Sequence, residues 1–496
     1  MTIEEILQGV RLRQGVALRQ ELPGDLGKVP VQGLEYDSRR VEPGFLFFAF
    51  PGARSDGREF AAQAMEKGAV ATVSALPPPD GFLGSWIEVE HGRQALALAA
   101  RNFYRSSTKR LKLTGVTGTN GKTTTTFLID AVLRAAGMTT ALVGTIEYRL
   151  AGQVRPAVNT TPESLDLYRL FEELDQAGGT HATMEVSSHA LALGRVYGIT
   201  FHTAVFTNLT RDHLDFHHTM EEYFAAKRLL FAPDGTTTPG WAVINSDDPY
   251  SRQIPAAPHT LRYGFEEGAD LRGSSLEMNF DGLRFTVEQG GERVQLSSPL
   301  VGKFNAYNIL AACGAALSYG LDWTTIARAI AHSPRVPGRF ESVQQGQPFL
   351  IVVDYAHTDD ALRNVISVAR ELQPKRVITL FGCGGDRDRA KRPLMAQAAA
   401  EASDYVVLTS DNPRSEDPLN IMNDALVGLR RFDTPHTIEP DRAKAIRAAL
   451  REARAGDIVI LAGKGHETYQ VLKDRVIHFD DREVARDVLE ELGYHK

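Results

Sequence analysis

The run Gly115-Val116-Thr117-Gly118-Thr119-Asn120-Gly121-Lys122-Thr123 has the residue types that hold phosphate. It joins an alternating apolar stretch to a helical pattern that puts Phe127, Leu128, Val132 and Leu133 on one side. A glycine-rich turn in that position aims successive backbone N–H groups at an anion near a helix N-terminus. Lys122 then reaches the outer phosphates of a nucleotide, and the Thr123 hydroxyl serves a Mg²⁺ ion. The general phosphate-loop spacing asks for a glycine where this chain has Val116, flanked instead by Gly115 and Gly118. An ordinary Gly-rich strand-to-helix turn is the competing reading.

Further acids, bases and metal ligands lie downstream. Glu185 ends the apolar stretch within 182–188, and a carboxylate there suits a Mg²⁺ site shared with Thr123, because Mg²⁺ takes few protein oxygens beside phosphate and water. The run 208–218 holds Asp212, His213, Asp215, His217 and His218. Zinc through His213 and His217 is an alternative there, although spacing fixes no further ligand. Lys227 sits in a helical stretch with an apolar face, and by pattern alone it lays its stem along that face. Asn305 precedes an apolar helix and could cap it. His357 and His466 are candidate proton handlers, and Cys383 is either a small buried residue or a reactive thiol. No Ser-His-Asp or Cys-His set points to a covalent enzyme intermediate.

These residues are spread along 496 positions, enough for two to four domains at roughly 100–200 residues each. Hydrophobic residues make up 43% and charged residues 24%, as in soluble globular proteins. The formal net charge of −7 leaves no broad basic surface for nucleic acid, so anionic ligands must be met by backbone amides, single Lys or Arg side chains and metal ions. Two cysteines, Cys313 and Cys383, make neither a disulfide framework nor a four-cysteine zinc site. The first residues carry two glutamates and no apolar signal core, and no stretch approaches the roughly 18 apolar residues of a membrane span. A soluble, cytoplasmic protein is expected.

Residues 1–107 mix short strands and helices, with a strand in 44–50, a helix in 59–69 and a surface loop at 77–79. The stretch 106–109 reads as a linker. From 108 to 336, strand–helix alternation through 182–188, 203–209 and 242–248 predicts a mostly parallel sheet, with antiparallel strands over 271–301 before a helix at 305–319. The two prolines and the glycine of 333–340 suggest a second linker. From 337 to 496, short apolar strands ending in Gly-containing loops predict a doubly wound α/β domain whose ligand loops follow the strand C-termini.

The ordered set of Gly-x-x-Gly-Thr-Asn-Gly-Lys-Thr, Glu185-Val186-Ser187-Ser188-His189, 208–218, Lys303-Phe304-Asn305 and Asp411-Asn412-Pro413-Arg414 resembles the Mur ligase family, over nearly the whole chain. That resemblance implies an α/β chain of three domains: 1–107 for a UDP-linked substrate, 108–336 as a central P-loop-type ATPase with a parallel sheet, and 337–496 as a Rossmann-like domain for an amino acid. It implies that Gly118, Thr119, Asn120, Gly121, Lys122, Thr123 and Thr124 bind ATP, with Asn305, Arg339 and Asp354 as the remaining nucleotide contacts. Mg²⁺ would fall to Thr123, Glu185, His213 and Lys227, the lysine carrying a CO₂-derived carbamate (N6-carboxylysine). Burial would favour the neutral amine that reacts with CO₂. Lys122, Lys227, Glu185 and His213 would be the catalytic set.

The same resemblance assigns UDP-N-acetylmuramoyl-L-alanyl-D-glutamate to Ser38, Asn159, Thr160, Thr161, Ser187 and Arg195. Leu193 stands where relatives can carry a polar substrate contact. Asp-Asn-Pro-Arg marks family members that add meso-diaminopimelate rather than lysine. Arg387, Asp411, Asn412, Arg414, Gly463 and Glu467 would hold that amino acid. Arg414 offers a planar fork to its distal carboxylate, and Glu467 would pair with its distal ammonium. The implied reaction activates the D-glutamyl γ-carboxylate as an acyl phosphate and transfers it to the amine, in peptidoglycan precursor synthesis, by a monomer. Three alternatives stand beside it: lysine as acceptor, ligation like that of folylpolyglutamate synthases, and a nucleotide-gated binding protein without turnover. Folate ligation has no need of Asp37-Ser38-Arg39, and lysine addition does not favour Asn412-Pro413-Arg414.

Overall fold

The computed structural model describes residues 1–14, 17–19, 24–52, 55–105, 109–232 and 237–495. The expected linker at 106–109 lies outside the described residues except for Lys109. The chain divides into two compact units: Met1–Arg272 with Leu310–Ile326, and Gly273–Ile309 with Ala327–Lys496.

The first unit contains a four-stranded parallel sheet in chain order, β1 (Gly33–Glu35), β2 (Phe45–Ala49), β3 (Ala71–Ser74) and β4 (Trp86–Glu88). The unbroken apolar run of β2 is buried from Leu46 to Ala49, as a strand covered on both faces requires. Helix α1 (Gly92–Phe103) packs Ala95, Leu96, Ala99 and Ala100 into the same core as Leu46 and Phe48.

The second sheet of this unit uses β5 (Lys112–Thr117), β6 (Thr140–Val143), β7 (Glu147–Leu150), β8 (Gln153–Pro156), β9 (His181–Glu185), β10 (Thr203–Phe206), β11 (Trp241–Asn245), β12 (His259–Gly264) and the start of β13 (Leu271–Asn279). Its order is β8-β7-β6-β9-β5-β10-β11-β12-β13. Strands β6, β9, β5, β10, β11 and β12 run parallel, and β7 and β8 form an antiparallel edge. β5 lies between β9 and β10. Strand order therefore brings the runs that follow β5, β9 and β10 to one edge of the sheet, where parallel α/β sheets bind ligands. Helices α2 (Lys122–Ala135), α3 (Ser164–Gln176) and α4 (Met220–Arg228) follow β5, β8 and β10.

In the second unit, β14 (Gly282–Gln289) and β15 (Glu292–Ser298) pair antiparallel, as expected for 271–301. Helix α5 (Lys303–Ser318) follows and starts before the expected position 305. Gly302, at φ 98°, makes the turn into it.

The six-stranded sheet of this unit has the order β16 (Glu341–Val343), β17 (Leu350–Asp354), β21 (Ile458–Ala462), β18 (Val377–Cys383), β19 (Tyr405–Ser410), β20 (His436–Glu439). All neighbours are parallel except β16 and β17. Alternate residues of one strand enter different cores. Leu350, Val352, Ile458 and Ile460 pack with α6 (Asp359–Glu371), α7 (Lys391–Ala402) and α8 (Pro418–Leu429), whereas Ile351, Val353, Val459 and Leu461 pack with α9 (Arg442–Glu452) and α10 (Asp481–Glu491). That alternation is the signature of a sheet covered by helices on both faces. Among the described residues, no helix is long and apolar enough to cross a membrane.

Candidate functional site

The loop after β5 is held by the loop after β10. Asn208 O accepts from Thr119 N at 2.8 Å, and Asn208 Oδ1 accepts from Asn120 N at 2.9 Å. Thr207 Oγ1 donates to Asn120 O at 2.6 Å. Gly118 must be glycine, because a Cβ there would lie 1.8 Å from Thr207 Oγ1. Gly121, at φ 84°, caps α2 in a conformation that side chains disfavour. Lys122 Nζ donates to Gly118 O and Thr119 O at 2.9 and 2.8 Å. Thr123 and Thr124 are buried in the first turn of α2.

Thr123 Oγ1 donates to Glu185 Oε2 at 3.0 Å, so the two predicted metal ligands are adjacent. The buried Glu185 carboxylate is fixed by Thr145, through N at 2.8 Å and Oγ1 at 3.1 Å. A hydroxyl and a carboxylate beside a phosphate loop fit the oxygen preference of Mg²⁺. Lys227, on α4, is 1% exposed. Its Nζ donates to Gly118 O at 2.7 Å and lies 4.4 Å from the Tyr223 ring centroid. The reading of Lys227 as a lysine with its stem on the surface is therefore corrected. Burial, reinforced by Lys122, pulls its pKa well below the usual lysine value.

His213 takes φ 53°, pairs with Asp212 at 3.4 Å and meets the His189 ring at 4.8 Å between centroids. Burial lowers its pKa against the opposing effect of Asp212. His217 is turned to Ser188 Oγ at 2.9 Å, and burial brings its pKa to about 4. Among the described residues, no three His, Cys, Asp or Glu side chains gather to hold a metal.

Of the residues expected to meet the UDP-linked substrate, Thr160, Thr161, Ser187 and Arg195 are linked in one network with Thr145 and Glu185. Thr161 Oγ1 donates to Glu185 O at 2.8 Å and accepts from Ser187 N at 3.1 Å. Arg195 donates to Thr161 O at 2.9 Å and to Glu163 Oε1 at 3.0 Å. Thr160 Oγ1 meets Thr145 Oγ1 at 3.0 Å, and Asn159 O accepts from Tyr148 OH at 2.6 Å. Ser38 is bonded instead to Gln63 Oε1 at 2.8 Å, in a turn capped by Asp37. The Arg39 guanidinium holds the Asp37 carboxyl down at about 2.

In the second unit, Asn305 is the third residue of α5, not its cap. Its Nδ2 donates back to Val301 O at 2.8 Å, and its Oδ1 accepts from Asn308 Nδ2 at 3.0 Å. Asp354 accepts from Phe340 N at 2.8 Å, and burial raises its pKa despite Arg339. Arg339 stacks on Tyr355 at 5.6 Å, and its Nε is buried without a partner. His466 is brought to about 4 by burial, so it is neutral near pH 7. The thiol of Cys383 is buried and pushed up to about 12, which makes it a packing residue.

A cavity of about 320 Å³ opens at the C-terminal ends of β17, β18, β19 and β21. All six residues expected to bind the amino acid line it: Arg387, Asp411, Asn412, Arg414, Gly463 and Glu467. Asn412 Nδ2 donates to Glu467 Oε2 at 3.0 Å. Arg414 donates to Gly385 O at 2.7 Å from a backbone at φ 53°. A non-glycine residue in that region is strained by about 1–3 kcal/mol, which is tolerated where a side chain must be aimed.

Three family models match in order: Mur ligase family, catalytic domain, over 30–104; Mur ligase middle domain, over 116–316; and Mur ligase, glutamate ligase domain, over 338–465. A protein of Solibacter usitatus named UDP-N-acetylmuramoyl-L-alanyl-D-glutamate–2,6-diaminopimelate ligase is 64% identical, with 100% of both chains aligned. The chain belongs to the Mur ligase family. A relative of the same name from Geobacillus thermodenitrificans is 48% identical over 94% of this chain and 96% of its own. A solved structure described by that name matches with a TM-score of 0.72 at 33% identity, covering 99% of each chain. The three-domain α/β architecture expected of a Mur ligase is thereby established.

Two residues beside these groups are not among the site residues assigned from the sequence. Thr145 follows β6, and only the β6–β9 pairing brings it to Glu185. Lys464 lies inside Gly463-Lys464-Gly465-His466-Glu467, yet its bonds to Asn412 depend on the β18–β21 and β18–β19 neighbourhood.

Proposed function

We propose that this Mur ligase couples ATP to an amide bond between the D-glutamyl γ-carboxylate of UDP-N-acetylmuramoyl-L-alanyl-D-glutamate and an amine of meso-diaminopimelate. The cavity in which Arg387, Asp411, Asn412, Arg414, Gly463 and Glu467 converge carries the reading. It presents guanidinium groups for a carboxylate and an acid for an ammonium, which is the chemistry of the distal end of diaminopimelate.

The proposed roles follow from what each group touches. The N–H groups of 118–121 and Lys122 hold the outer phosphates of ATP, and Asn305, Arg339 and Asp354 are assigned to the rest of the nucleotide. Thr123 and Glu185, with His213 and Lys227, would hold Mg²⁺, which offsets phosphate charge when bound. Burial disfavours the ammonium form of Lys227, and the neutral amine is the form that attacks CO₂ to give a carbamate. Ser38, Asn159, Thr160, Thr161, Ser187 and Arg195 orient the UDP-linked acid. Its γ-carboxylate attacks the γ-phosphorus, ADP leaves, and an acyl phosphate forms. The neutral amine adds to the acyl carbon, phosphate departs with its bonding electrons, and the amine loses a proton. Positioning and charge neutralisation supply the rate, without a protein nucleophile. The boundaries 107/108 and 336/337, a monomeric state and a cytoplasmic location in peptidoglycan precursor synthesis belong to the same reading.

The test is ADP release with the UDP-linked acid, Mg·ATP and either meso-diaminopimelate or L-lysine, with the product checked by mass. Turnover with diaminopimelate and little with lysine is expected. Turnover with lysine alone would overturn the acceptor, and no turnover with either would overturn the ligase.

A further inference from the structure

Lys464 is fully buried, and it stands behind the wall of the amino-acid cavity without lining it. Its Nζ donates to Glu467 Oε2 at 3.1 Å and to Asn412 Oδ1 at 3.3 Å, and lies 3.8 Å from Asp411 Oδ1. Three of the six residues assigned to the amino acid therefore share one ammonium.

The geometry has two consequences. Asn412 Oδ1 also accepts from Val471 N at 2.9 Å, so its amide is fixed with the nitrogen toward Glu467. Both bonds to Glu467 fall on Oε2, and Glu467 lines the cavity. The electrostatic balance follows. With Lys464 behind it, the Glu467 carboxylate is partly offset by an ammonium that it shares with Asp411. A ligand end carrying only an ammonium finds its attraction to Glu467 opposed by the like charge of Lys464. A ligand end carrying an ammonium beside a carboxylate meets Glu467 and also the guanidinium of Arg414 or Arg387. Repulsion of the wrong ligand is as effective a source of specificity as attraction of the right one.

We propose that Lys464 is a specificity-determining positioning residue, which sets Asn412 and Glu467 as a charge-offset clamp selecting a zwitterionic amino-acid end over a lone ammonium. This rests on the reading of the cavity as the diaminopimelate site.

The experiment compares kcat and KM for meso-diaminopimelate and L-lysine in the full-length wild type, Lys464→Met, Lys464→Gln, Glu467→Gln and the Lys464→Met/Glu467→Gln pair. In Lys464→Met, the KM for diaminopimelate should rise about tenfold, with kcat within about threefold and the KM for ATP unchanged. The preference for diaminopimelate over lysine should fall about tenfold or more. Lys464→Gln keeps a donor without the charge and should lose the same preference. In the Glu467→Gln background, Lys464→Met should alter the diaminopimelate KM by less than about twofold, because the two residues act together. An unchanged preference in the folded Met or Gln variant, or independent effects in the double variant, would overturn the proposal. Failure of the wild type to use diaminopimelate would instead overturn the assignment of the cavity.

Discussion

At the scale of single residues, Lys227 shows how a side chain can be held at a cost to stability. The residue is 1% exposed, and its amine faces a carbonyl oxygen and the ring of Tyr223. Its folded pKa is depressed, so between that value and the ordinary 10.5 the unfolded chain binds more protons. Stability therefore rises with pH across that window, and near neutral pH the buried amine is destabilising. Lys227→Met should raise the unfolding temperature near pH 7, because Gly118 O keeps Lys122 Nζ as a donor at 2.9 Å. The same substitution should lower ligase turnover about 100-fold or more, as loss of a charge-organising group does. Thermal unfolding and ADP release on one preparation test both parts, and a destabilised variant with normal turnover would refute the role given to this lysine. The sequence located Lys227 on an apolar helical face, but periodicity gives the face and not the depth beneath it. Only the packing of α4 decides between a surface stem and a buried amine.

At the scale of elements, the loops after β19 and β21 must keep a fixed separation if Asn412 and Glu467 are to meet. Arg442 spans the two strand ends, donating to Ser410 O at 3.3 Å and Ala462 O at 3.0 Å. Its charge is balanced by Asp481 at 2.6 Å, and both side chains are 0% exposed. Removing one partner leaves a buried charge unpaired, so Arg442→Met should cost about 3–5 kcal/mol. Arg442→Met/Asp481→Leu should recover part of that loss, but not all, because the two carbonyl oxygens stay without their donor. Denaturant unfolding of the two variants checks the order, and equal losses would show that the ion pair is not the source. The strands themselves were legible, since runs buried on both faces are apolar without interruption. The loops that follow them were legible as motifs, and the six residues assigned to the amino acid from those motifs all line one cavity. The Arg442–Asp481 pair was not, because its members lie on different helices and become neighbours only through the sheet order.

At the scale of the whole molecule, acid sensitivity should come in part from buried imidazoles. His181, His217 and His466 are each brought from 6.5 to about 4 by burial. Between those values the unfolded chain binds more protons than the folded one, so each histidine makes stability fall as pH drops from about 6.5 toward about 4. The buried Asp248, Asp354 and Asp411 act the opposite way, because their raised pKa values let the folded chain take up protons early. The balance can be separated at His181. It lies at the N-terminal end of β9, away from Glu185 at the other end of that strand, and packs edge-on against Tyr319 at 4.9 Å. Its Nε2 is buried without a partner, so protonation there creates a charge that nothing offsets. His181→Phe keeps an aromatic ring against Tyr319 and cannot titrate. The variant should retain ligase turnover and show a smaller fall in unfolding temperature between about pH 7 and about pH 5 than the wild type. An identical fall in the two proteins would move the acid sensitivity to other groups and remove His181 from the account.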